Sequence, residues 1–165
     1  MYSKIKYYLK EIILFVVVMT LFANAVSFYK SMDLPEKKFD PLNITLIDGT
    51  KYHYTKEKPL LVHFWATWCP SCNLEAANIQ KISESFEVIT IAVKSGTNED
   101  IQKYMQENAL TFYVINDKEA FIAREYNIGV FPTTFIYDKN GEVVFSEVGY
   151  TSTLGLYLRM WFAAL

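Results

Sequence analysis

The chain has two cysteines, and they stand three residues apart in the segment Trp68-Cys69-Pro70-Ser71-Cys72. An apolar run over residues 59–66 precedes them, and apolar residues at helical spacing follow as far as residue 86. A C-x-x-C pair that leaves a buried strand and opens a helix is typical of a redox-active dithiol. Unpaired N–H groups and the positive end of the helix dipole at that point favour a thiolate on Cys69. The pattern predicts thiol–disulfide exchange, with Cys69 attacking and Cys72, one turn later, resolving the mixed disulfide.

Three other uses of two cysteines fit this sequence less well. A structural zinc site needs about four ligands, and the chain adds only two distant histidines, His53 and His63. Covalent haem attachment would need a histidine directly after the second cysteine, where this chain has Asn73. A purely structural disulfide across so short a loop would constrain little of the unfolded chain. We therefore expect no metal and no cofactor.

Residues 1–30 form an N-terminal appendage in which lysines precede an apolar run over residues 12–26. As a signal peptide, the segment would be cleaved after Ala23-Asn24-Ala25, a small-x-small sequence. As an uncleaved anchor, the apolar stretch continues to Tyr29 and is about eighteen residues long, close to the minimum for spanning a membrane. A core helix of a soluble domain is disfavoured, because nothing polar interrupts residues 12–19. Both main interpretations export the rest of the chain, and we favour the anchor.

Residues 31–38 are polar and contain a proline, which predicts a short linker before a folded domain over residues 39–165. The domain begins with alternating residues around Asp48-Gly49, which predict a hairpin. Strands are then predicted over residues 60–66, 88–93, 112–115, 133–137 and 142–148. Helices are predicted from the cysteine pair to about residue 86, after an N-cap at Asn98, over residues 119–126 and over residues 153–165. This order predicts an α/β domain with a central mixed sheet flanked by helices on both faces. A net charge of −2 without a basic patch argues against nucleic acid as a partner.

Two motifs resemble the TlpA-like branch of the thioredoxin-fold proteins, namely Phe-Trp-Ala-Thr-Trp-Cys-Pro-Ser-Cys at residues 64–72 and Phe-Pro-Thr-Thr-Phe-Ile at residues 131–136. The resemblance extends from about Phe39 to the C-terminus. It implies a thioredoxin fold and a membrane-anchored thiol–disulfide oxidoreductase on the periplasmic side of the bacterial inner membrane. It also implies protein thiol or disulfide substrates and a membrane or periplasmic redox partner. Residues 148–161 are similar to a narrower subgroup, the suppressor of copper sensitivity D-like proteins.

The resemblance assigns roles to individual residues. Cys69 corresponds to the exposed attacking cysteine of the family, and Cys72 corresponds to the buried resolving cysteine. Pro132 corresponds to a cis-proline beside the disulfide, where the backbone of Phe131 pairs with an extended substrate segment. Trp68 and Pro70, which flank Cys69 in the motif, are expected to support the active site.

Glu75 corresponds to a carboxylate that family members place near the active site, after the second cysteine. Partial burial would raise its pKa and make it a proton acceptor for the buried thiol. The alternative is a solvated glutamate in the first helical turn, where the helix dipole favours negative charge.

Three departures from the family pattern restrict the function. His63 stands where thioredoxin has a buried aspartate, and we expect it to be a hydrogen-bonded core residue. Thr133 stands where cytochrome-maturation reductases usually have an acidic residue, and the cysteine spacing is shorter than in copper-delivery relatives. Two alternative functions stay open: a tethered non-catalytic binding module that uses the groove at Phe131 and Pro132, and a metal-handling module that uses the reduced dithiol.

Overall fold

Five short strands form the centre of the structure, a computed structural model that describes residues 2–32, 34, 44–54 and 57–165. The strands are β1 (Leu60–Trp65), β2 (Glu87–Val93), β3 (Tyr113–Asp117), β4 (Thr133–Tyr137) and β5 (Val143–Val148). They make one mixed sheet in the order β3-β2-β1-β4-β5. The pairs β1–β2 and β2–β3 are parallel, and the pairs β1–β4 and β4–β5 are antiparallel. Every residue of β1 and β4 is buried, which explains the near-continuous apolar sequence of β1.

Helices cover both faces of this sheet, as predicted. The helices are α1 (Tyr2–Ser31), α2 (Pro70–Ser83), α3 (Asn98–Glu107), α4 (Phe121–Glu125) and α5 (Thr153–Ala163). One core cluster joins β1 to the buried sides of α2, α3 and α5, and it includes both cysteines. The other cluster joins the opposite side of the sheet to α4 and to the segment that contains Leu46 and Tyr52.

The predicted hairpin around Asp48-Gly49 is a tight turn with a single antiparallel bridge, between Thr45 and Lys51. The Asp48 carboxylate accepts the Thr50 N–H at 2.8 Å and closes the turn. The segment does not extend into two strands, because the Ile47 N–H donates to the Val114 carbonyl of β3 instead. The first residue of the predicted hairpin, Asn43, lies outside the described residues.

The start of α3 also differs from its prediction. Thr97, not Asn98, is the N-cap, because Thr97 and Asp100 form a reciprocal capping box. The Asn98 side chain donates to the Ile47 carbonyl at 3.2 Å and so ties α3 to the tight turn.

The N-terminal appendage is a single helix, α1, which continues through Ser31. Its segment Lys6–Ser31 is long and apolar enough to cross a membrane. Of the predicted linker over residues 31–38, the structure describes Ser31, Met32 and Leu34. The predicted start of the domain at residue 39 lies outside the described residues.

Candidate active site

Cys69 and Cys72 form a disulfide at the point where the loop after β1 enters α2. Cys69 is the N-cap residue of α2, with extended backbone, and its Sγ accepts the N–H of Cys72 at 3.3 Å. Pro70 occupies the first helical turn, where its missing N–H costs no hydrogen bond. The Cys72 N–H, which has no partner within the helix, is therefore directed at the Cys69 sulfur. This arrangement stabilises a thiolate on Cys69.

The two cysteines differ less in exposure than the resemblance implies. Cys69 is 4% exposed and Cys72 is 2% exposed, so the expectation of an exposed Cys69 is wrong for this oxidised structure. The Cys69 sulfur is bonded to that of Cys72, and the Ser71 hydroxyl lies 3.3 Å from the Cys69 sulfur. What distinguishes Cys69 is its position at the helix N-terminus, between two exposed residues, Trp68 and Pro70.

The loop before β4 lies against this helix start. The Ser71 hydroxyl donates to the Phe131 carbonyl at 3.3 Å, and the Trp68 ring meets the Phe131 ring edge-on at 5.7 Å. Pro132 is buried, and the peptide bond from Phe131 to Pro132 is cis. The fold therefore brings together the two motifs, which are about sixty residues apart in the sequence.

Glu75 is completely buried, one turn after Cys72 on α2. Its Oε1 accepts the Thr151 N–H at 3.1 Å, whereas its Oε2 has no hydrogen-bond partner in the described part of the chain. Burial raises the pKa of Glu75 to about 8. The hydrogen bond from the Thr151 N–H lowers this pKa in part, and the nearby Glu147 carboxylate raises it. The solvated first-turn glutamate is therefore ruled out, and Glu75 holds a proton that it can exchange near neutral pH.

His63 and Thr133 have structural partners. His63 is 2% exposed on β1, with Nδ1 2.9 Å from the Thr134 hydroxyl, and burial lowers its pKa to about 3. It is a neutral, hydrogen-bonded core residue, as expected. The Thr133 hydroxyl donates to the Val130 carbonyl at 2.8 Å, which stabilises the loop before β4.

Two contributors to the site were missed at the level of sequence. Ser71 lies inside the motif, and its polar side chain could have been singled out there. Thr151 acts through its backbone N–H, 76 positions after Glu75, so nothing local in the sequence signals it. Within the described ranges, no cluster of three or more His, Cys, Asp or Glu side chains could hold a metal ion.

Comparisons with known proteins agree with this geometry. The AhpC/TSA family model matches residues 33–146. The chain is 27% identical over 164 residues to a thioredoxin-like protein of Haemophilus influenzae, with 97% of each chain covered. It is 33% identical over 90 residues to the thiol-disulfide oxidoreductase ResA of Geobacillus kaustophilus, and it spans about half of that protein, 52%. The solved structure of StoA from Bacillus subtilis superimposes with a TM-score of 0.64 at 23% identity, covering 78% of this chain and 99% of that one. The predicted thioredoxin fold is confirmed.

Proposed function

The chain belongs to the AhpC/TSA family, as a thioredoxin-like thiol–disulfide oxidoreductase, and we propose that it exchanges disulfides with protein substrates through Cys69 and Cys72 while anchored to a membrane. The observation that carries this proposal is the disulfide at the start of α2, with the N–H of Cys72 directed at the Cys69 sulfur. The name of the relative ResA as a thiol-disulfide oxidoreductase supports the same chemistry. Equilibration with glutathione tests the proposal, because a redox-active pair exchanges with that buffer and a structural disulfide resists it.

The reaction needs two displacements at sulfur. In the reductive direction, the Cys69 thiolate attacks a substrate disulfide, forms a mixed disulfide and expels one substrate thiolate, which takes up a proton. Cys72, after losing its proton, attacks the Cys69 sulfur and expels the second substrate thiolate. The substrate has gained two electrons, and Cys69 and Cys72 are again a disulfide. The same steps in reverse insert a disulfide into a reduced substrate.

We assign the proton transfer at Cys72 to Glu75. Residues one turn apart lie on the same side of a helix, and the buried Glu75 carboxyl, with its pKa raised to about 8, binds and releases a proton near neutral pH. The carboxyl gives a proton to Cys72 when the disulfide opens and takes it back when Cys72 attacks. Buried surroundings exclude water from this step, so an internal acceptor is needed.

The substrate surface in this proposal is formed by Trp68 and Phe131, beside the buried Pro132. The Trp68 ring is 58% exposed and is held by a hydrogen bond from its Nε1 to the Lys94 carbonyl at 3.1 Å. Val130, in the loop before the cis bond, is also exposed. An extended substrate segment lying along the Phe131 backbone would bring its disulfide to Cys69, as the family resemblance implies.

We propose that residues 1–30 anchor the chain, that residues 31–38 link it and that the domain over residues 39–165 works on the periplasmic side of the bacterial inner membrane. The long apolar helix α1 supports the anchor. The position of this helix at the N-terminus supports an exported domain, because an anchor and a signal peptide both carry the rest of the chain across the membrane.

The N-terminus should remain attached in the mature protein. The apolar stretch is long enough to span a membrane. The intact mass of membrane-extracted protein checks this expectation, with alkaline washing to separate integral from peripheral protein. A mature chain that begins at Val26 would show that the segment is a signal peptide.

We also propose that the chain belongs to the narrower subgroup of suppressor of copper sensitivity D-like proteins. The segment that carries this similarity lies against the active site: the Gly149 N–H donates to the Pro132 carbonyl at 2.8 Å, and the Thr151 N–H donates to Glu75. The subgroup similarity therefore involves residues that position the site as well as the C-terminal helix.

A further inference from the structure

Helix α5 is apolar on two opposite faces. Leu156, Met160 and Ala163 are buried against the sheet. The opposite face is exposed, and its large side chains follow helical spacing: Leu154, Tyr157, Leu158, Trp161 and Phe162. Within Thr153–Ala163, Arg159 is the one charged residue. A helix that is apolar all round is typical of a fully buried or membrane-contacting position, so this exposed face, here called the α5 outer face, calls for a partner.

The membrane helix α1 approaches the domain beside the same helix. Asn24 accepts a hydrogen bond from Arg159 Nη2 at 3.1 Å. The Ser27 hydroxyl donates to Glu147 Oε2 at 3.1 Å and accepts the Val148 N–H at 3.0 Å. Arg159 and Glu147 are themselves paired at 2.6 Å. The polar side chains near the end of α1 are therefore used to bind β5 and α5.

The depth of these contacts along α1 fixes where the domain lies. Asn24 stands seven residues before Ser31, which is about 10 Å at 1.5 Å per residue. The segment Lys6–Ser31 is about 39 Å long, compared with roughly 30 Å for the hydrocarbon core of a bilayer. With Lys6 at the inner boundary, about twenty residues cross the hydrocarbon core, and the outer boundary falls near Ala25, between the contacts made by Asn24 and Ser27. The part of the domain surface around Arg159 therefore reaches the membrane.

We propose that the α5 outer face inserts into the lipid interface beside α1 and seats the oxidoreductase domain on the bilayer. This inference rests on the proposed anchor. Trp and Tyr are enriched at membrane interfaces, where amphipathic rings suit the headgroup region, and the face carries both at Trp161 and Tyr157. Interfacial helices bury their apolar side about 5–10 Å into the boundary between headgroups and acyl chains. The active site is then held at a fixed distance from the membrane instead of moving freely on the linker.

Quenching of tryptophan fluorescence by brominated lipids tests the seating. The full chain is placed in vesicles of phosphatidylcholine and phosphatidylglycerol, with or without bromine on the acyl chains. We expect bromine to quench the wild-type fluorescence and Trp161→Phe to lose most of that quenching, because Trp65 is buried in the core and Trp68 lies at the active site. Quenching that persists fully in Trp161→Phe would overturn the proposal.

A matched pair of charge substitutions separates the α5 outer face from exposed apolar residues in general. Leu158→Glu should move the domain away from the bilayer and abolish the quenching of Trp161. Phe121→Glu, at an even more exposed apolar position on α4, should leave the quenching unchanged. Equal quenching of Trp161 in the two variants would contradict insertion of the α5 outer face into the bilayer. A dimer in detergent that Leu158→Glu dissociates, with quenching unaltered, would make this face a contact between copies and would also overturn it.

The same vesicles keep the two proposals apart. A chain that is released by alkaline washing has no anchor, and the seating fails with it. A chain that stays in the vesicles without quenching of Trp161 retains the anchor and loses only the seating.

Discussion

Replacing Cys72 with serine should turn the chain into a trap for its substrates, and replacing Cys69 with serine should not. In Cys72→Ser the Cys69 thiolate still attacks a substrate disulfide, but no second thiol resolves the mixed disulfide. In Cys69→Ser the remaining thiol, Cys72, lacks the position at the helix N-cap. Both variants should lose nearly all catalytic turnover. Acid quenching, alkylation and mass analysis of the adducts distinguish the two outcomes.

The double variant Cys69→Ser/Cys72→Ser is the control for non-covalent capture, since it has no thiol. Equal trapping by the two single variants would mean that the attacking and resolving roles are wrongly assigned. That result would be informative, because the structure gives both cysteines nearly the same burial and separates them by their place on the helix alone.

Glu75→Gln should make the oxidised domain markedly more stable than the wild type at alkaline pH and nearly equal to it at acidic pH. Folding raises the pKa of this carboxyl from its ordinary 4.5 to about 8. The folded state therefore binds more protons than the unfolded state between these values, and the free energy of unfolding falls as pH rises through that window. Above pH 8 this carboxyl makes the free energy of unfolding roughly 4–5 kcal/mol lower than it is below pH 4.5. Glutamine cannot ionise, yet it keeps an oxygen for the Thr151 N–H.

Denaturant unfolding of both proteins from pH 4 to pH 9 checks this expectation, and the difference between them is the quantity to follow. His63 acts in the opposite direction, because its lowered pKa makes stability rise with pH up to about 6.5. Subtracting the curves removes that contribution. The control is Glu84→Gln, at the exposed C-terminal end of α2, where Glu84 pairs with Lys81. This substitution should change the free energy of unfolding by less than about 1 kcal/mol. A difference between wild type and Glu75→Gln that stays constant with pH would contradict the raised pKa.

Local signals in the sequence were sufficient for the centre of this fold. The apolar run before Cys69 and the cysteine spacing predicted a buried strand that enters a helix, and β1 and α2 have that form. Neighbouring polar residues competed for the cap of α3, and Thr97 prevailed over Asn98 because only Thr97 stands three residues before an acidic partner, Asp100. Such a choice depends on which side chain completes a reciprocal pair.

Contacts between distant segments were not predictable in the same way. The burial of Glu75 depends on the chain around Thr151 folding over α2, and the low exposure of Cys69 depends on the disulfide and its surroundings. Residues 153–165 were predicted to form a helix, but the sequence could not show which of its apolar sides the folded domain leaves exposed. Only the placement of α5 against the sheet leaves one of these faces outside.

The redox potential of the Cys69–Cys72 pair is the most direct test of the central claim that this disulfide is an active exchange site. The full chain is equilibrated with glutathione buffers of graded ratio, free thiols are alkylated, and the two forms are counted by mass. We predict one two-electron transition in which both cysteines change together, at a potential between about −270 and −120 mV, the range of thioredoxin-fold oxidoreductases. A disulfide that stays intact to below about −300 mV, as structural disulfides do, would contradict the account.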